Sequence, residues 1–318
     1  MNLIKKYRRK SALTAGILLI VLVLLALLPA YGSAYNVTLF TYFLMYIIIT
    51  VSWVIFSGTT GYISLATAAF YGVGIYAAAF FGDKYPLIVV VFMGGIASFI
   101  LAFFVGAITL RLRGIYFAMF TFGLVLLVKE VIYFWEVDIN HLVGRFVILK
   151  SNETTYYYLL GIFVVTMIVA YLIRKSKYGL ALQSIGENEE AAAHAGINVT
   201  MVKVLTFAVS AIFMGATGVI MAMKLTYVDP DVAFNPMMSF SPALMAIFGG
   251  MGNITGPIIG AVLFTYIQEK LMTGVWNKYY MLIFGGILVA TILYLPDGLM
   301  GFIQRLWKRI TGAKRAHT

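Results

Sequence analysis

SALTAGILLIVLVLLALLPAYGSAYNVTLFTYFLMYIIITVSWVIFSGTTGYISLATAAFYGVGIYAAAFFG, residues Ser11 to Gly82, contains no Asp, Glu, Lys or Arg. About 20 apolar residues suffice to cross the hydrocarbon core of a bilayer, so this stretch alone holds three crossings. The rest of the chain is similar in kind. Of its 318 residues 62% are apolar and only 11% charged, with a mean hydropathy of +0.95. Soluble domains carry roughly 25% charged residues, and that composition is excluded here.

Charges and Gly/Pro clusters divide the sequence into ten candidate spans: Ala12 to Leu28, Val37 to Phe56, Tyr62 to Phe81, Leu87 to Thr109, Ile115 to Trp135, Tyr156 to Ile173, Val204 to Met223, Ser239 to Gly250, Pro257 to Leu271 and Tyr279 to Leu295. They are apolar on every side, as helices surrounded by lipid or by other helices are. A transmembrane β-barrel would alternate instead. The expected fold is therefore an all-α polytopic membrane protein forming a single domain over residues 1–318. The first span has a basic start and small residues after it, like a secretory signal, but it is long enough to span and is read as retained.

The net charge of +11, from 23 Lys plus Arg against 12 Asp plus Glu, would point to nucleic acid on a soluble protein. Here the basic residues cluster beside apolar runs, as membrane orientation signals do. With ten spans, sixteen of them fall on the side of the N-terminus and seven on the other. The positive-inside rule then places both termini in the cytoplasm. No cysteine is present, which excludes disulfides and thiol chemistry. There is no phosphate-binding loop, and no His/Glu grouping has metal-ligand spacing. Neither an enzyme nor a bound cofactor is expected. No ionisable residue lies well inside a span, so energy for transport would come from another chain, unless the protein is a passive channel or carrier.

Three segments carry candidate function. The first is the loop of residues 174–203, RKSKYGLALQSIGENEEAAAHAGINVTMVK. Glu187, Glu190 and His194 fall at i, i+3 and i+7 and can share one helix face through Ala191 to Ala193, with Gly196 ending the helix. It reads either as a surface amphipathic helix or as a docking helix for a cytoplasmic partner. The second is FNPMMSFSPALMAIFGGMGNITGPIIGAVL, Phe234 to Leu263. Ser239 to Gly250 covers only about 18 Å of a core about 30 Å thick, so a discontinuous helix is expected there, broken at Gly249, Gly250 and Gly252. Gly252, Gly256 and Gly260 also form a small-xxx-small ladder, which leaves helix packing and substrate contact both open for Asn253 and Thr255. The third segment, Phe56 to Gly82, mixes Ser64, Thr67 and Tyr71 into an apolar span. Those hydroxyls either bond their own backbone or line a cavity. At the external loops Arg145, Asp229 and Asp231 read as solvated charges or as contacts for a binding protein.

The chain resembles the LivM-type permease subunits of ATP-driven branched-chain amino acid importers. The resemblance rests on TGYISLATAAFYGVGIY at Thr60 to Tyr76, LRLRGIYFAMFTFG at Leu110 to Gly123, SKYGLALQSIGENEEAAAHAGINV at Ser176 to Val199, FGGMGNITGPIIGA at Phe248 to Ala261 and LPDGLMG at Leu295 to Gly301. The loop holds the family's EAA-x-x-x-G signature at Glu190, Ala191, Ala192 and Gly196. Many relatives have Gly-His where this chain has Ala66-Thr67, so a pathway role for that His does not carry over. The resemblance implies a coupling helix at Glu190, Ala191, Ala192 and Gly196, to which Glu187 on the same face is added, and the polar residues Ser64, Thr67, Tyr71, Asn253 and Thr255 are the candidates for the translocation path. It implies a second homologous permease, two cytoplasmic ATPases and an external solute-binding protein as partners. The setting implied is a prokaryotic inner membrane and the cargo leucine, isoleucine or valine. Related permeases move urea, short amides or sugars.

Overall fold

In the computed structural model the described residues are 20–273 except 142, residue 16, and positions 279, 282, 283, 285, 286, 289, 298–302 and 305. The tenth expected span, Tyr279 to Leu295, lies largely outside them, as do the basic clusters at Lys5 to Lys10 and Lys308 to Arg315. Among the described residues the regular structure is helical apart from one two-residue antiparallel ladder, β1 (Arg145–Phe146) with β2 (Tyr227–Val228).

The helices are α1 (Ile20–Tyr31), α2 (Ala34–Trp53), α3 (Thr67–Phe81), α4 (Leu87–Thr109), α5 (Ile115–Phe134), α6 (Asn152–Lys175), α7 (Lys177–Glu187), α8 (Glu189–His194), α9 (Val199–Ala222), α10 (Pro230–Ala233), α11 (Met237–Gly249) and α12 (Thr255–Thr273). α2 and α5 each widen into a π turn, Val54–Gly58 and Trp135–Ile139. Among the described residues six helical stretches are long and apolar enough to cross a membrane: Ala34–Gly58, Leu87–Thr109, Ile115–Ile139, Asn152–Lys175, Val199–Ala222 and Pro230–Gly249. The protein is a polytopic, all-α membrane protein.

Helix starts follow side-chain chemistry where a polar residue precedes an apolar run. Ser33, Ser151 and Asn198 each accept a bond from a backbone N–H of the first turn of α2, α6 and α9, meeting donors that the helix itself leaves open. The tightest packing joins α3, α4 and α9. A Cβ on Gly74 would collide with the carbonyl of Gly215, and one on Gly215 would meet Ser98 of α4. Without a hydrophobic force between helices in lipid, such close backbone approach supplies the van der Waals contact that holds spans together. α2 and α9 are the most buried of the six spans.

Two expectations are corrected here. The third span is helical only from Thr67; Gly61 to Ala66 runs unwound. The break expected after Ser239 to Gly250 is a turn joining α11 to α12, while the interruption of that span comes earlier, between α10 and α11. Gly249, Gly256 and Gly260 serve packing, since a Cβ on any of them would strike backbone across the α11–α12 contact, whereas Gly252 faces open space and Gly250 turns the chain at φ +96°.

Candidate functional site: an unwound segment tied to a loop helix

Gly61 to Ala66 leaves the π turn of α2 and returns alongside it before α3 begins. An unwound backbone within a membrane bundle must find partners, because an unsatisfied amide there costs several kcal/mol. Side chains provide them. Trp53, buried on α2, donates its indole N–H to the carbonyl of Ser64 at 2.7 Å. The amide of Ser64 donates to Ser57 Oγ at 3.4 Å, that of Leu65 to Thr121 Oγ1 at 3.0 Å, that of Ala66 to Ser64 Oγ at 3.3 Å and that of Ala68 to Ser239 Oγ at 3.0 Å. The segment is thus pinned to α2 and α5, and the first turn of α3 that follows it to α11. A small void beside it is lined by Trp53, Ser57, Ser64, Phe70, Ser210 and Met214.

The expected path residues divide. Ser64 and Thr67 belong to this segment and to the first residue of α3; Thr67 Oγ1 is buried with no hydrogen-bond partner among the described residues. Tyr71 is buried one turn on, its hydroxyl 3.8 Å from Met45 Sδ. Asn253 and Thr255 stand exposed in the turn between α11 and α12, at the end where Arg174 donates to the carbonyl of Gly252. They are not brought to the other three. Ser239 takes that place, and a serine at the start of an apolar helix carried no signal of it.

The loop helix meets the same segment from below. Asn188 interrupts the face expected for Glu187, Glu190 and His194: Glu187 ends α7, and the Asn188 side chain accepts from the amides of Glu190 and Ala191 at 3.0 Å to start α8. Gly196, at φ +85°, ends it, with its N–H donating to the carbonyl of Ala193, the left-handed closure that glycine favours. Ala192 is buried against the protein, leaving Glu190, Ala191 and Gly196 exposed.

Glu189, which the sequence did not single out, makes the connection. Its Oε2 accepts from the Tyr62 hydroxyl at 2.6 Å and its Oε1 from Lys203 Nζ at 2.7 Å. Lys203, only 2% exposed at the start of α9, also donates to the Leu110 carbonyl and the Tyr62 hydroxyl, both at 3.1 Å. The ring of Tyr62 packs against Phe56 and Phe117. Burial pushes the Glu189 carboxyl upward, but bonds from Lys203 and Tyr62, with the charges of Lys203 and Arg113, hold it below the ordinary carboxylate value. Arg113 reaches Glu189 at 3.8 Å and Glu190 at 3.6 Å. A lysine counted from the sequence as an orientation anchor is therefore a buried junction of α4, α8, α9 and the unwound segment. Its signal was weak: one basic residue at the mouth of an apolar run.

The opposite end carries a looser arrangement. Glu136, buried in the π turn after α5, accepts from the Tyr76 hydroxyl at 3.3 Å and the Gly144 amide at 3.0 Å. Arg145 approaches its other oxygen at 3.7 Å and lies over the rings of Phe80 and Trp135. Asp229 caps α10 through the Val232 amide, and Asp231 pairs with Lys129 at 2.9 Å. None of these three loop charges is simply solvated.

A family model described as branched-chain amino acid transport system / permease component matches residues 35–292. The chain belongs to that family. The permease is 26% identical to the high-affinity branched-chain amino acid transport system permease protein LivM of Salmonella typhimurium, over 89% of this chain and 74% of that protein. It is equally identical to LivM of Escherichia coli, over 94% of this chain and 77% of that one. The ribose import permease protein RbsC of Haemophilus influenzae is 27% identical over 43% of this chain and 44% of its own. No solved structure matches significantly. The chain is a transport subunit of the ABC permease class, embedded in a membrane.

Proposed function

We propose that this permease is one membrane-spanning subunit of an ATP-driven importer of branched-chain amino acids. The observation that carries the substrate is coverage: similarity to LivM runs through almost the whole chain, while the similarity to the ribose permease stops short of half. In this reading the protein has ten spans with both termini in the cytoplasm, and pairs with a second, homologous permease, two cytoplasmic ATPases and an external solute-binding protein. α8 is the coupling helix, presenting Glu190, Ala191 and Gly196 to an ATPase groove, with Glu187 at the end of α7 beside it.

The geometry supports a specific route for the stroke. ATP-driven closure of the ATPases displaces α8; Glu189 then pulls on Tyr62 and Lys203, and through Tyr62 on Gly61 to Ala66. That segment is held by single side-chain bonds rather than by a helical ladder, so it rearranges by exchanging hydroxyl partners. Ser64, Thr67 and Tyr71 lie where it moves and line the path. Shifting a two-state equilibrium from 1:99 to 99:1 takes about 5.5 kcal/mol of differential binding, within reach of a closing ATPase dimer.

The test is uptake of L-leucine into vesicles holding the full complex, ATP and binding protein. Glu190→Lys is expected to abolish uptake and capture of the ATPases while the permease still inserts and folds. Unchanged uptake would remove α8 from the coupling role. A second reading, import of a pentose, rests on the partial match to RbsC, and is selected if the same vesicles accumulate D-ribose and not leucine.

A further inference from the structure

α6 ends at Lys175, and the chain turns at Ser176, whose side chain accepts from the Gly179 amide to start α7. α7 then runs from the end of α6 to the end of α2. A Cβ on Gly179 would strike the Ile173 carbonyl, and one on Gly186 the Thr59 carbonyl just past the π turn. Pressed against the bundle at both points, α7 leaves a half-open groove between them. Val51 and Ile55 of α2 and its π turn, Ala170 and Ile173 of α6, Leu182 of α7 and Pro257 of α12 line it. Its open interior of about 30 Å³ is a slot for a slender apolar group rather than for a bulky solute. The polar members are Thr59, whose hydroxyl already bonds back to the Ile55 and Phe56 carbonyls, together with Gln183 and Arg174.

Arg174 is the group that looks for a partner. Its guanidinium donates to the Gly252 carbonyl, which uses one of five N–H donors. Among the described residues no acid pairs with Arg174, Lys175 or Lys177, and the sequence holds no acid between Glu153 and Glu187. Around this basic elbow the exposed side chains are large and apolar: Tyr171 and Leu172 on the last turns of α6, Tyr178 and Leu180 on the first turn of α7. Lys175 lies over the Tyr171 ring at 4.6 Å. Exposed aromatic and aliphatic groups mixed with unpaired cations at the end of an apolar span belong to the membrane–water interface, where basic pockets between helices take anionic headgroups.

We propose that this groove is a binding site for an anionic phospholipid, with one acyl chain in the slot between α2, α6 and α7 and the phosphate on the free N–H groups of Arg174. The bound chain braces α7 and, through Asn188, the helix α8 that follows it. The site is separate from any cargo path and does not depend on which solute the permease carries.

The experiment titrates the purified full-length permease, in dodecyl maltoside, with dioleoylphosphatidylglycerol and counts bound lipid by native mass spectrometry. One tightly held lipid per chain is expected, with dioleoylphosphatidylcholine retained at least tenfold more weakly. Arg174→Gln should lower the affinity at least tenfold, whereas Lys175→Gln should stay within twofold. Equal losses in the two variants would reduce the effect to diffuse attraction by the basic cluster and overturn the site, as would equal retention of the two lipids. Displacement of the lipid by millimolar glycerol phosphate assigns Arg174 to a free phosphate and overturns it as well. Ala170→Phe fills the slot and should abolish retention. Because that variant could fail to fold, the unsubstituted protein is also photolabelled with phosphatidylglycerol carrying a diazirine on its acyl chain. Labelling concentrated on α6, α7 and Val51 to Thr59 is expected, and labelling spread evenly over α4 and α5 overturns the groove. Release of the lipid when ATPase subunits bind would give the groove to a protein occupant and overturn it too.

Discussion

Lys203 and Lys224 stand at the two ends of α9 and are shielded from water in opposite circumstances. Lys203 has a carboxylate, a carbonyl and a phenol within 3.1 Å. Lys224 has a ring face and no acceptor among the described residues. Both are lysines beside an apolar helix, and composition treats them alike. The difference teaches how each end is built: the Lys203 end is closed upon itself and ties α8 to the unwound segment, while the Lys224 end holds a charge with no acceptor among the described residues.

The largest expected effect tests the closed end. Glu189→Gln leaves the Lys203 ammonium without its counter-charge, and breaking a buried pair in this way costs about 3 kcal/mol, read as a fall in the melting temperature of the purified protein. Lys224→Met, the matching change at the other end, should cause no fall; equal losses at both ends would erase the contrast. The same pair sets a pH signature. Because the Glu189 carboxyl is held below its ordinary value of 4.5, its contribution is fully present above that value. It is lost as pH falls through the lower, folded-state value. The gap in melting temperature between the unsubstituted protein and Glu189→Gln should therefore be widest near neutrality and close in acid; a gap that widens on acidification would mean the carboxylate is not the stabilising form.

A smaller effect sharpens how the closed end reaches the unwound segment. Tyr62→Phe keeps the ring packing and deletes the hydroxyl shared by Glu189 and Lys203, at a cost of about 2 kcal/mol. If Tyr62 transmits the stroke, leucine uptake should fall more than ATP hydrolysis does. Proportional losses of both would confine Tyr62 to packing. The smallest effect concerns α8 itself: Asn188→Ala removes its cap and should cost about 1 kcal/mol, seen as faster proteolysis between Glu187 and Gly196 in the purified permease.

Much of the bundle was legible because its cause is local. Apolar runs such as Leu87 to Thr109 match the observed helix to the residue, and Gly196 ends α8 where a glycine after a helical run should. The third span defeated the same logic. Ser57, Ser64 and Thr121 look like hydroxyls bonding back along their own helices, as Thr121 in part does, yet all three hold the unwound backbone. Glu189 was passed over for its neighbour Glu190 because spacing along one helix cannot anticipate that Asn188 divides the loop in two.

The sequence by itself determined that this protein lives in a membrane, that it crosses as helices, and which loop carries a short helix. These follow from residue-by-residue transfer free energies and from caps within one turn. Only the tertiary structure decided where the backbone unwinds, which carboxylate holds Lys203, and that Lys224 meets none among the described residues. A buried charge or amide is settled by whatever acceptor the fold brings near, and for Lys203 two of the three partners lie about a hundred residues away in the chain.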